Sequence, residues 1–247
     1  MSEKQGREDA VIVEGLSKHF GKVKALDNLS IRVPAGEVYG LLGPNGSGKT
    51  TAIKIACGLL RQTSGRVELF GQSRPDKKVL AQVGYMPQET AVYMDNTVHE
   101  NLALFGQLYG LDRERFARRE AEVLRFVDLS GWRGALASNL SGGMRHRLSL
   151  ACSLVHEPRL IFLDEPTVGV DPELRAAFWE YFREIANRGV TVVITTHYMD
   201  EASHCFRVGL LRQGRLVAEG APEQLKRSTG AASLEDAFLA YARGDGQ

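Results

Sequence analysis

Gly43-Pro44-Asn45-Gly46-Ser47-Gly48-Lys49-Thr50 decides the reading of this chain. The octet matches G-x-x-x-x-G-K-[ST] in full and runs on into Thr51. It follows Val38-Tyr39-Gly40-Leu41-Leu42, an apolar run of strand length, and the pattern beyond it predicts a helix over about 48–60. Strand, glycine-rich turn and helix start together form a cradle for a triphosphate. The glycines let backbone N–H groups close on the phosphate oxygens, and the helix N-terminus adds positive potential. Lys49 supplies a point charge between the β- and γ-phosphates, and the Thr50 hydroxyl suits Mg²⁺.

Working outward, Leu160-Ile161-Phe162-Leu163-Asp164-Glu165 supplies the matching acid. An apolar strand delivers Asp164 to the edge of a sheet, where it can hold Mg²⁺ directly or through water. Glu165, one residue on, is the candidate to polarise an attacking water. An acidic pair ending a strand is weak evidence alone; beside a phosphate loop it reads as catalytic.

The rest of the chain fits an α/β core with a helical insert. Val11-Ile12-Val13, then Ile31 and Val33, alternate as an antiparallel sheet would. Further strands are expected over 66–70, 83–86, 160–163, 191–195 and 208–211, several of them apolar throughout, as buried parallel strands are. Between Thr97 and Val155 the rhythm becomes helical. Thr97 and Glu100 make a capping-box pattern ahead of Leu102, Phe105, Leu108 and Tyr109. A second helix is predicted over 113–127, its Arg113, Arg115, Arg118 and Arg119 beside Glu114 and Glu120 reading as a solvated face. A third is predicted after Ser141 as N-cap, a fourth from Asp171-Pro172 to Gly189, and a short amphipathic one over 234–241.

Composition excludes several classes. With 31 Lys+Arg against 30 Asp+Glu over 247 residues, the formal charge of +1 gives no support to a nucleic-acid binder. The 43% hydrophobic and 25% charged content is that of a globular chain. No apolar run reaches the length of a bilayer span, and the first ten residues lack the apolar core of a secretory signal. Cys57, Cys152 and Cys205 are odd in number and widely spaced, fitting neither a disulfide framework nor a zinc site.

Leu140-Ser141-Gly142-Gly143-Met144, with Ser141 24 residues before Glu165, resembles the signature of ABC ATPases. Other marks of that family fall in order. Phe20, 29 residues before Lys49, stands where the family stacks an aromatic on adenine. Gln88 lies in the Q-loop position, Val168-Gly169-Val170-Asp171 looks like the D-loop, and His197, 32 residues after Glu165, looks like the switch histidine. The fold this resemblance implies is an α/β P-loop NTPase: an ABC-type RecA-like core, an N-terminal antiparallel β-subdomain and an inserted α-helical subdomain. The expected layout is a disordered 1–10, an ATPase domain over 11–225 with the helical insert at about 90–156, and a helical tail over 226–247.

The same resemblance implies the ATP- and Mg²⁺-dependent ATPase subunit of a membrane transporter. Lys49, Glu165, His197 and Gln88 would be catalytic, and Thr50, Gln88 and Asp164 would hold the metal. Phe20, Gly43 to Thr51, Ser141, Gly142, Gly143 and Asp171 would bind nucleotide. Two subunits would stack head to tail, each signature closing over the other's nucleotide, and a separate permease would anchor them on the cytoplasmic face of the membrane. Met144 replaces the family's commoner Gln, a habit of subunits that pair with ABC-2-type exporter permeases, so export is the expectation. The ATPase of an importer is the alternative, and a soluble non-transport ABC ATPase a more distant one.

Overall fold

The computed structural model describes residues 8–73 and 75–243. β1 (Asp9–Phe20) and β2 (Val23–Pro34) form an antiparallel hairpin in which Val11 and Val13 face Val33 and Ile31. β3 (Val38–Leu42) and α1 (Lys49–Ala56) follow, and β4 (Ser64–Leu69) returns to the free edge of β1, giving a three-stranded sheet. β1 begins earlier than its apolar residues indicated. Asp9 pairs with Pro34 and Ala10 is fully buried, so both belong to β1 rather than to a disordered start; residues 1–7 lie outside the described ones. α1 stops at Ala56 rather than near 60. Gly58 takes φ 72°, and the amides of Leu59 and Leu60 both turn back to the Lys54 carbonyl, a glycine-terminated helix end.

A second sheet carries the catalytic candidates. α2 (Lys77–Leu80), capped by Asp76, leads into β5 (Val83–Met86), and after the helical insert come β6 (Leu160–Asp164), α6 (Pro172–Asn187) and β7 (Thr191–Thr196). β8 (Arg207–Arg212) and β9 (Arg215–Gly220) complete the order β5-β6-β7-β3-β8-β9, parallel except for β9. Alternation sorts its side chains into two cores. Tyr39, Leu41, Phe162 and Val193 pack with Ile53 of α1 and the inner face of the three-stranded sheet. Val38, Leu42, Ile161, Leu163, Val192 and Ile194 pack against the helices on the opposite face. Both faces are covered, which is why these strands read as continuous apolar runs.

The helical insert holds α3 (Val98–Leu108), α4 (Arg113–Phe126) and α5 (Gly142–Leu154). Thr97 and Glu100 form the capping box, and Asp112 and Ser141 cap the other two. One expectation fails. Arg119 and Glu120 are only 6% and 4% exposed, not part of a solvated face. Arg119 donates to the Leu154 carbonyl at 2.9 Å and pairs with Glu122, while Glu120 is held by His99 and Arg133. The guanidinium satisfies carbonyls left over at the end of α5, a use of charge that a charge pattern does not reveal.

β9 and α7 (Pro222–Thr229) escaped the sequence reading, and α7 runs through the expected boundary at 225/226. α8 (Leu234–Arg243) buries Leu234, Ala237 and Phe238 in the main core, so 226–243 is part of the domain rather than an appended tail. Residues 244–247, expected to fray, lie outside the described ones. Among the described residues no helix is long and apolar enough to cross a membrane. The three cysteines are free, Cys152 and Cys205 buried and Cys57 partly so, and burial pushes all three thiols up, away from reactivity.

Candidate active site

The loop between β3 and α1 is built on close approach. A Cβ at Gly43 would stand 2.2 Å from the Leu211 carbonyl oxygen, and one at Gly48, φ 110°, would stand 2.5 Å from that of Ala25. Both positions therefore need glycine. Lys49 is 5% exposed; its Nζ donates to the Gly43 carbonyl at 2.7 Å and reaches the Pro44 carbonyl at 3.3 Å. Burial lowers the lysine's pKa, opposed by the charges of Glu165 and Asp164. Asn45 to Thr51 line a cavity of about 520 Å³ with Val23, Lys24, Ala25, Gln88 and Glu165.

Glu165 is where the expected groups converge. Its Oε1 lies 3.6 Å from Lys49 Nζ and 3.2 Å from His197 Nδ1, and its Oε2 accepts from Gln88 Nε2 at 3.4 Å. Three chain segments far apart in sequence thus face one carboxylate, because β3, β5 and β7 all end on the same side as β6. Glu165 itself sits in the left-handed region at φ 56°, a conformation costing roughly 1 kcal/mol for a side-chain-bearing residue and common where geometry serves chemistry.

Asp164 is fully buried beneath it. Burial raises its pKa, and the neighbouring Thr195 and Thr50 hydroxyls pull it back. Thr195 Oγ1 donates to Oδ1 at 2.5 Å, whereas buried Oδ2 is left without a hydrogen-bond partner. An orphaned carboxylate oxygen on a residue beside the Thr50 hydroxyl offers oxygen donors, which fit a hard divalent cation. Among the described residues no three His, Cys, Asp or Glu side chains gather as a metal cage, so such an ion would draw its remaining ligands from phosphate and water.

The other expected residues lie outside this cavity. Phe20 ends β1, 49% exposed, with Lys18 Nζ 4.8 Å above its ring; it pairs with Val23, which lines the cavity. Ser141 caps α5, its hydroxyl accepting from Met144 N at 3.2 Å, and Gly142 and Gly143 open that helix. Asp171 caps α6 through Leu174 N. A Cβ on Gly143 would lie 3.4 Å from the Gly169 carbonyl, so the signature turn and the loop ahead of α6 adjoin each other. Among the described residues, none of Ser141, Gly142, Gly143 and Asp171 lines the cavity at the Lys49 loop. Sequence reading missed Thr195, whose hydroxyl touches both acidic residues, because a threonine in an apolar strand reads only as a strand former.

A phosphate loop ending the central parallel strand β3, with acids ending β6 and one strand, β7, between them, defines a P-loop nucleoside triphosphatase fold. Within that class, residues 26–168 match the ABC transporter family model (ABC_tran), and the chain belongs to the ABC transporter family as an ATP-binding domain. It is 41% identical over 221 residues to the Escherichia coli "Probable multidrug ABC transporter ATP-binding protein YbhF", covering 89% of this chain and 38% of that protein. It is 42% identical over 224 residues to the Streptomyces coeruleorubidus "Daunorubicin resistance ATP-binding protein DrrA3", covering 90% and 71%. A solved ATP-binding subunit of an ABC transporter superposes with a TM-score of 0.87 at 28% identity over 94% of this chain and 99% of that one.

Proposed function

We propose that this chain hydrolyses ATP to drive export through a separate transmembrane permease. The observation that carries it is the Glu165 carboxylate, held at once within reach of Lys49, His197 and Gln88. ATP would lay its phosphates on the loop Gly43 to Thr51 and its adenine on Phe20. Mg²⁺, held by Thr50, Asp164 and Gln88, would neutralise phosphate charge. Glu165 orients the attacking water, His197 stabilises the charge that develops, and Lys49 counters the phosphates. Before nucleotide arrives these groups hold one another, Lys49 on carbonyls and Glu165 on Lys49; the phosphates would replace those contacts.

Ser141, Gly142, Gly143 and Asp171 complete the site from a second copy. The exposed helix start at Ser141, Gly142 and Gly143 suits a γ-phosphate, and none of the four residues lines the cavity of its own protomer. ATP therefore closes a head-to-tail dimer and hydrolysis opens it. The permease reads that cycle through the helical insert and the Gln88 loop, where an apolar groove of about 420 Å³ between core and insert is lined by Leu59, Leu80 and Tyr85 on one side and Phe105 and Tyr109 on the other. Such a groove accepts a short amphipathic helix. The permease would hold the chain on the cytoplasmic face of the membrane. Export is supported by the relatives' names, which speak of multidrug transport and daunorubicin resistance.

Glu165→Gln tests this reading. The variant is expected to bind ATP normally, to lose about 10³-fold in phosphate release, and to elute as an ATP-dependent dimer on size exclusion. Phosphate release at the unsubstituted rate would remove Glu165 as the key group.

A further inference from the structure

The acidic pair is held by a hydroxyl that no part of the reading so far uses. Thr195 is fully buried near the end of β7 and is the registered partner of Asp164 across the parallel pair β6 and β7. Its Oγ1 donates to Asp164 Oδ1 at 2.5 Å and accepts from the Glu165 amide at 3.1 Å, while its own carbonyl also accepts from that amide at 3.1 Å. A hydroxyl has one proton, so with the amide arriving as donor that proton must go to Asp164. The result is a directed chain, amide to hydroxyl to carboxylate, each link polarising the next.

Two consequences follow for the residues on either side. On Asp164, Oδ1 is occupied and the carboxylate plane is fixed, so Oδ2 is the oxygen left buried and unpartnered. On Glu165, the pinned amide holds the left-handed backbone at φ 56° that turns its side chain back toward Lys49, His197 and Gln88. We infer that Thr195 is a positioning residue that sets both halves of the acidic pair together, aiming Asp164 Oδ2 at the nucleotide's divalent cation and Glu165 at the γ-phosphate. It touches neither nucleotide nor cation itself. Valine would fill the same space but return nothing to Asp164 Oδ1. Serine would keep the hydroxyl.

This inference rests on the proposed ATPase reading, and the wild-type arm of the experiment tests that reading separately. Mn²⁺ binding to the ATP complex is titrated by electron paramagnetic resonance for wild type, Thr195→Val, Thr195→Ala and Thr195→Ser, alongside metal-free binding of a fluorescent ATP analogue and thermal unfolding without nucleotide. Loss of an outer hydrogen bond to a metal ligand weakens metal affinity about 10- to 100-fold. Thr195→Val is expected to show that loss with metal-free ATP affinity within about twofold of wild type, and Thr195→Ser to restore metal binding. If the valine variant does not fold, alanine against serine carries the same comparison, since each is smaller than threonine and only serine keeps the hydroxyl. Wild-type metal affinity in Thr195→Val or Thr195→Ala overturns the inference, as does a serine variant no better than alanine. A wild type that binds neither ATP nor the metal complex overturns the ATPase reading instead, and this inference with it.

Discussion

Two regions of this molecule bury charge, and they treat it oppositely. In the helical insert the buried charges are closed off: Glu120 is engaged by His99 at 2.6 Å and by Arg133 at 3.0 Å, and Arg119 by the Leu154 carbonyl and Glu122. At the end of the central sheet they are left open. Lys49 and Glu165 stand 3.6 Å apart, and Ser47 Oγ and Asp164 Oδ2 are buried without a partner. Burying a charge costs several kcal/mol unless partners repay it. The insert uses its charges to fasten helices, whereas the sheet keeps its polar groups unsaturated and so ready for a ligand rich in oxygen and negative charge. Openness alone does not mark a site, since Glu201 is also buried with both oxygens unpartnered. What singles out the sheet end is that the open groups converge.

The contrast is tested by separating function from stability. Glu165→Gln, with its loss of about 10³-fold in turnover, is expected to leave the thermal midpoint of the nucleotide-free protein unchanged or raised. Replacing a buried carboxylate by a neutral amide of the same shape removes the desolvation cost of the charge. A midpoint lowered by many degrees would mean that Glu165 fastens the fold, and the two regions would then not differ. The reverse experiment is Arg119→Met, which keeps the apolar stem but orphans carbonyls at the end of α5. It is expected to cost about 3 kcal/mol in denaturant unfolding while ATP affinity stays within about twofold. Unaltered stability would show that the insert's charges are as dispensable to the fold as those of the site.

Lys49→Ala sharpens the site half of the comparison. Removing the cation that faces the phosphates is expected to weaken ATP binding by about 10- to 100-fold, a loss of roughly 1.4–2.7 kcal/mol, read by calorimetry. Stability is expected to fall less than ATP affinity, because the lysine's partners are two loop carbonyls and a carboxylate 3.6 Å away that His197 and Gln88 also face. Unchanged ATP affinity would contradict the phosphate-loop argument directly.

The same division governs what the sequence let one read. The site was legible because its chemistry forces residue types into order: glycines where a Cβ would strike a carbonyl, a lysine and threonine at the helix start, acids closing an apolar strand. Strands β3, β6 and β7 were legible because both faces are covered, and α3 because Thr97 and Glu100 satisfy each other's backbone. The insert's buried charges were not. Arg119 and Arg118 are neighbours of the same type, yet only the former meets the carbonyls ending α5, and that depends on how α4 packs. β9 and α7 were missed for a related reason. Arg215–Gly220 is a half-buried edge strand whose apolar run is only Leu216-Val217-Ala218, and its place follows from pairing with β8. Thr195 was invisible because its role lies in a register between strands rather than in its own segment.

The smallest expected effect probes an imperfectly partnered histidine at the end of the insert. His156 follows α5, stacked on Tyr109 at 3.7 Å, with Nε2 3.3 Å from the Val83 carbonyl and Nδ1 buried without a partner. Burial, chiefly, lowers its pKa to about 4, with the Arg119 charge adding in the same direction. The folded protein therefore binds this proton less readily than the unfolded chain, whose histidines titrate near 6.5. The contribution to stability is complete above about pH 6.5 and is lost as pH falls toward 4, reaching about 2 kcal/mol at pH 5. His156→Phe keeps a ring against Tyr109 and cannot take up the proton. Its thermal midpoint is expected to fall less than that of wild type between pH 7 and pH 5, because the other titrating groups are common to both proteins. Parallel curves would mean that the pocket reorganises to admit a charged imidazole, and the insert would then share the openness here ascribed to the sheet end alone.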